Sequence, residues 1–290
     1  MKADLFYNSA PGRMLLRSLQ SSGAFKAAAL FLRSGASRPL IAPFIRKNGV
    51  DMTPFQGQSY RSFADFFARE KALPPYIEDE DVLISPCDGL LSIYPVTGDM
   101  VLPMKDSHYL LSDLLPREET AALFAGGLCL VYRLRATDYH HFCHFDDCVR
   151  RETHYIPGQL HSVQPIACRT VPVYRLNRRW WTLMDTDHFG PAAQIEVGAM
   201  LVGGVTHAGE PGRFPKGSEM GNFELAGSTI VLLLTAQARC SLTFFPRFAP
   251  ALEGAGEVAV SMGEGIGRRQ KEAAAAATAA LAGGNVPLSP

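Results

Sequence analysis

No apolar stretch in this chain is long enough to cross a bilayer: the longest candidates are broken by Arg33, Glu196 or glycines, well short of the roughly 18 residues a spanning helix needs. A secretory leader is not expected either, because the first residues hold no clean apolar run followed by a small-residue cleavage site. The six cysteines, Cys87, Cys129, Cys143, Cys148, Cys168 and Cys240, form no CxxC pair and no dense pattern. Neither a zinc knuckle nor a disulfide framework is expected, and the thiols read as reduced and cytosolic. No repeat of fixed period is present. Nor is there a net excess of charge, with 28 Lys and Arg against 28 Asp and Glu.

What is there is a globular composition, 47% apolar and 19% charged over 290 residues, enough for one large or two modest domains. The balanced charge is unevenly placed. Residues 1 to 50 carry eight Lys or Arg against the single acid Asp4, a local +7 that leaves −7 on the other 240. These cations are interleaved with aliphatics and Phe, which points away from nucleic acid and toward an anionic membrane surface. Helical spacing supports this: Met14, Leu15 and Leu19 recur on one face, as do Leu40, Ile41, Phe44 and Ile45. Such helices either lie in the headgroup region or pack on the protein's own core, and both readings stay open. Ser62 and Asp65 form a capping-box pattern opening a short helix whose face of Phe63, Phe66 and Phe67 reads as core.

From about residue 81 the pattern turns to short strands between Gly and Pro turns. Val82 to Ile84, Leu90 to Tyr94, Leu128 to Leu134, Gln194 to Val205 and Ile230 to Leu234 are the predicted strands, rich in residues that favour a pleated surface. The expected fold is α+β and mainly β: a basic helical region over 1–80, then a Gly-rich antiparallel barrel or sandwich over 81–267. The Ala-rich remainder, 268–290, reads as a loose tail.

Three features carry candidate chemistry. Gly227, Ser228 and Thr229 are either a tight turn into a buried strand, or a strained peptide whose serine hydroxyl reaches the preceding carbonyl and cuts it. His140, His141 and His144 crowd into DYHHFCHFDDC (Asp138 to Cys148), where an imidazole can take a proton from a hydroxyl near neutral pH. His140 and His144, with Cys148, Asp146 and Asp147, are also competent metal ligands, but the spacing fits no common zinc pattern, and no metal is expected. Asp88 in SPCDG is either an Asx-turn residue or a carboxylate that orients a histidine.

Six segments, in order, resemble the phosphatidylserine decarboxylases, a family of self-processing pyruvoyl enzymes. They are SYRSFADFFARE (Ser59 to Glu70), SPCDG (Ser85 to Gly89), YRLRATDYHHF (Tyr132 to Phe142), PGQLHSVQPIA (Pro157 to Ala167), FGPAAQIEVGAMLVGGV (Phe189 to Val205) and KGSEMGNFELAGST (Lys216 to Thr229). The resemblance implies a cut between Gly227 and Ser228, giving a heterodimer of residues 1–227 and 228–290. Ser228, activated by Asp88 and a histidine, would attack the Gly227 carbonyl, with Thr229 or backbone amides as oxyanion donors. Elimination and hydrolysis would leave a pyruvoyl group at position 228. That cofactor would form a Schiff base with phosphatidylserine and release CO2 to give phosphatidylethanolamine. His140 matches the histidine assigned a part in decarboxylation.

Cys143 departs from the pattern, since well-known bacterial members carry the processing histidine there. Residues four apart share a face, so His144 is expected to replace it, with His140 as the alternative base and Cys143 as an apolar filler. Ala226 stands where many members have Leu, and His161, at a position that is often aromatic, is the candidate contact to the substrate. The expected protein is peripheral, on the cytoplasmic side of the cell membrane. A pyruvoyl decarboxylase of a free amino acid and a relative that no longer cuts itself are the other readings.

Overall fold

The computed structural model describes residues 4–98, 100–104, 107–199, 204–225, 228–252 and 256–271. Gly227, on the expected cut, and the tail at 272–290 lie outside them. Helices α1 (Asp4–Tyr7), α2 (Ala10–Ser21), α3 (Ala24–Arg33) and α4 (Ile41–Asn48) come first. Ser9 caps α2, its hydroxyl accepting the Gly12 amide, and Gly49, with φ of 63°, ends α4, since a left-handed residue is where a helix stops most easily. The fifth helix, α5 (Phe63–Phe67), starts at Ser62, whose hydroxyl accepts the Asp65 amide at 3.1 Å. The Asp65 carboxylate returns to the amide of Arg61 at 2.7 Å, one residue earlier than a capping box predicts.

The body is built on one antiparallel sheet of eight strands. Its order is β11 (Gly212–Phe214), β7 (Cys148–Ile156), β8 (Arg179–Thr186), β9 (Gly190–Val197), β13 (Ser228–Leu234), β5 (Leu128–Leu134), β2 (Gly89–Pro95) and β15 (Val258–Val260). Smaller sheets are β1 (Val82–Ile84) with β16 (Gly265–Arg269) and β14 (Leu242–Phe244), then β10 (Val205–His207) with β12 (Glu219–Phe223) and β6 (His141–Cys143). A hairpin joins β3 (Met100–Met104) and β4 (Ser107–Leu110). The large sheet has two free edges, so the body is layered and no closed barrel forms among the described residues.

Side chains alternate along a strand, and β13 shows why its sequence is apolar without alternation. Ile230, Leu232 and Leu234 enter one core with Phe142, Met220 and Phe223. Val231 and Leu233 enter the other, where Phe6, Tyr7 and Leu16 of the N-terminal helices are buried. The strand is therefore covered on both faces, and each of its five apolar side chains contributes roughly 1.5–3 kcal/mol of burial. The N-terminal helices pack on the body, as one of the two sequence readings expects, and still expose Met14, Leu15, Leu30 and Phe31. No helix among the described residues is long and apolar enough to cross a membrane. The predicted strand from Gln194 to Val205 is two elements: β9 ends at Val197, and β10 begins at Val205 in another sheet.

Candidate active site

One rim of the large sheet gathers the start of β2, the end of β5, the start of β13 and the end of β9. Ser228 lies opposite Leu134, Thr229 opposite Val197, and Leu90 opposite Arg133. Ser228 shares its face with Ile230 and Thr229 points to the opposite one, beside Tyr174. Ser228 is 1% exposed, and its hydroxyl has no hydrogen-bond partner among the described residues. A buried polar atom without a partner is costly, and such groups cluster where a protein does chemistry.

Asp88, just before β2, stands two strands from Ser228, roughly 10 Å at the spacing of a sheet. Its carboxylate accepts the amides of Tyr139 at 3.3 Å and Met262 at 2.8 Å. These distant amides replace the local Asx turn, and the carboxylate positions the backbone entering His140 without touching an imidazole among the described residues. Cys143 donates its amide to the Pro86 carbonyl at 2.8 Å and directs its thiol to the Ser85 carbonyl. Burial, with a further contribution from Asp88, pushes that thiol up to about 12, which leaves it protonated and inert as a base.

The histidines separate. His140 is fully buried against Phe67, ring centroids 4.2 Å apart, and its Nδ1 donates to the Asp138 carbonyl at 2.9 Å. Its Nε2 has no partner among the described residues. Burial holds the imidazole down at about 3, so it is neutral with a free lone pair. His144 lies in a different setting, stacked on Phe214 and donating from Nδ1 to Ser218. Its Nε2 is also unpartnered, and burial holds it at about 4. The reason the two part is distance: in an extended segment residues four apart share a face yet stand about 13 Å from each other. His141 meets Glu219 at 2.6 Å and the Ala68 carbonyl at 3.2 Å. His161 bonds Gln159 at 2.7 Å and Tyr7 at 3.3 Å, and its neighbour Ser162 faces the cavity described next.

A cavity of about 640 Å³ opens beside this rim. Leu32, Phe44, Phe63 and Phe67 from the helices form its apolar side, and Leu134 and Leu225 bring the strand that faces Ser228 and the segment that precedes it. Lys47, Arg133 and Arg135 supply positive charge. Arg133 is paired with Glu257 and Arg135 with Asp138, whereas Lys47 has no ion pair among the described residues. In the sequence the Phe63–Phe67 face reads as core, and nothing marks Lys47. Nor does anything there mark Glu196 as a site residue, a fully buried carboxylate on the Ser228 face of the sheet, held by Gln194 at 2.9 Å and His207 at 3.3 Å.

Of the metal-competent residues, the fold brings Asp146 and Asp147 together with His188, within 4.8 Å. It leaves His140, His144 and Cys148 out of that group. Asp146 accepts both the amide and the ring N–H of His188 at 2.9 and 2.8 Å, and Asp147 accepts the Lys216 amide at 3.2 Å.

Comparison with known proteins adds an independent line. The family model described as "Phosphatidylserine decarboxylase" matches residues 63–268. "Phosphatidylserine decarboxylase proenzyme 2" of Clostridium acetobutylicum is 38% identical over 231 residues, 78% of this chain and 79% of the relative. The "Phosphatidylserine decarboxylase proenzyme" of Ruminiclostridium cellulolyticum is 35% identical over 235 residues, 78% of each. That of Clostridium perfringens is 34% identical over 246 residues, 82% of this chain and 83% of the relative.

Proposed function

The chain belongs to the phosphatidylserine decarboxylase family, and from that premise we propose that it cuts itself between Gly227 and Ser228 and then decarboxylates phosphatidylserine to phosphatidylethanolamine. The observation that carries this reading is the Ser228 hydroxyl, buried without a partner at a rim beside an apolar and cationic cavity. In the cut, the Ser228 oxygen adds to the Gly227 carbonyl, the peptide C–N bond breaks, and an ester forms. The hydroxyl proton passes to Nε2 of His140 and from there to the departing nitrogen. Asp88 acts through the Tyr139 amide, holding the segment that bears His140.

Ser228 suits the pyruvoyl group that would follow, because among the described residues its hydroxyl makes no bond that conversion to a carbonyl would break. That group supplies an electron sink for loss of CO2 from an amine-bearing carboxylate. His140, neutral with a free Nε2, can accept the proton of a substrate ammonium and later return it to the carbon that loses CO2. Lys47 meets the phosphodiester, and the Leu32, Phe44 and Phe63 wall meets the start of the acyl chains. His161 acts behind the wall, since the Tyr7 hydroxyl that bonds its ring also accepts the Ser162 amide at 2.9 Å. The protein sits peripherally on the cytoplasmic side of the membrane, its basic N-terminus on anionic lipid, worth about 1 kcal/mol for each Lys or Arg near the surface.

His144 is the second reading for the base, favoured by its own unpartnered Nε2. Denaturing electrophoresis with intact mass tests the whole proposal. Two fragments, 1–227 and a 228–290 fragment with a blocked first residue, are expected; a single uncut chain under active conditions removes it. Loss of cleavage in His144→Ala and not in His140→Ala would exchange the base. Turnover of free serine at the rate of the lipid would move the substrate to a free amino acid.

A further inference from the structure

The end of α5 and the residues after it wrap His140 and the first residue of β6, His141. Phe67 covers the His140 ring, and the Ala68 carbonyl accepts from Nε2 of His141. Arg69 then turns inward, where it is 3% exposed. Its guanidinium lies over the faces of Phe55 and Phe66, 4.9 and 5.1 Å from their centroids, and makes no ion pair among the described residues. Nη2 donates to the carbonyls of Thr137 at 3.2 Å and Asp138 at 3.3 Å. The Asp138 carbonyl is the one that accepts Nδ1 of His140. Nε and Nη1 have no hydrogen-bond partner among the described residues, and aromatic faces are the ordinary environment for a guanidinium so placed.

We infer that Arg69 is a positioning residue for His140: by sharing the Asp138 carbonyl it fixes the ring as the neutral tautomer, with its proton on Nδ1 and its Nε2 open to accept one. A carbonyl only accepts, so the nitrogen facing it must carry hydrogen. An unpaired cation beside a ring buried from solvent opposes a second proton. The groups facing the imidazole include attractive charge as well. Asp138 favours the imidazolium, but its carboxylate is taken by Arg135 at 2.7 Å; His141 opposes it and is engaged by Glu219; Phe67 contributes no charge. Arg69 is the cation of this set left without a counter-ion.

The inference rests on His140 being the proton acceptor, but its test does not depend on turnover. In the full chain held uncut by Ser228→Ala, nitrogen-15 spectra of labelled histidine should show His140 with Nδ1 protonated and Nε2 bare from about pH 8 to about pH 5. Arg69→Gln keeps a donor and removes the charge, and should raise the proton affinity of His140 about tenfold or more. Arg69→Lys keeps the charge and should stay within about twofold of the parent, an outcome that a role in packing alone would not produce. An unchanged titration in Arg69→Gln overturns the inference. If Arg69→Gln does not fold, the parent decides: a proton on Nε2 of His140 overturns it, and one on Nδ1 upholds the arrangement. Failure of the parent to cleave, with these spectra as expected, would count against the proposed function and not against Arg69.

Discussion

Gly221 of β12 lies directly across from Phe142 of β6, so close that a Cβ there would stand 2.9 Å from the ring and collide with the Thr206 carbonyl oxygen. The ring cannot yield without disturbing Phe223, 5.5 Å away in the same core, and a backbone carbonyl yields still less. Gly221→Ala should cost about 3 kcal/mol or more. Urea unfolding measures it, and a midpoint equal to that of the parent would contradict the packing.

Cys143→Ala should leave self-cleavage intact. The thiol is fully buried and held protonated, so its removal creates a small void costing on the order of 1 kcal/mol and takes away no base. The fraction cut, read on a denaturing gel over time, should match the parent. A stalled precursor would restore position 143 to the processing machinery.

Stability should fall with acid through a window set by two imidazoles. Burial holds His140 at about 3 and His144 at about 4, while the unfolded chain titrates them near 6.5. Below that value the unfolded state binds more protons than the folded one, so stability present above about pH 6.5 is lost as pH drops toward 4. The loss reaches roughly 1.4 kcal/mol per pH unit for each histidine. A urea midpoint that stays constant from pH 7 to pH 5 would show that these rings are not buried as neutral groups.

Leu30 and Phe31 of α3 are 68% and 46% exposed, and neither is needed for the core. Leu30→Ser with Phe31→Ser should leave the thermal midpoint within about 2 °C and weaken flotation with anionic vesicles. Lys47→Glu should raise KM for phosphatidylserine several-fold while leaving cleavage unchanged. Undiminished flotation of the double variant would take the membrane contact away from α3.

The limits of β1 and β5 were legible because each is an apolar run whose bounds agree with the observed strands, Val82–Ile84 and Leu128–Leu134. The run from Gln194 to Val205 misled because periodicity reports burial and not the sheet a strand joins. The chain leaves the large sheet where the Gly198 amide turns to the Arg178 carbonyl, and resumes pairing with β12. Barrel and sandwich stayed equally open in the sequence because strand count says nothing about whether the outer strands meet. Asp88 and Ser228 stand out in the sequence by their motifs. Their surroundings were not: Tyr139 and Met262 lie 51 and 174 residues from Asp88, and Arg69 reaches a carbonyl 69 residues away. Nor could spacing reveal that His140 and His144 have separate neighbours.

Strand β13 runs between β9 and β5, and in the proposed cut both flanking strands belong to the other fragment. Severing the peptide before Ser228 would then remove a covalent link without releasing anything, because the new first residue is already paired with Leu134 of β5 and the strand it opens is held on both sides from Thr229 onward. The two fragments could part only by dismantling the central sheet. Separation and unfolding would be the same event, and dilution alone would not take the reactive group away from its pocket.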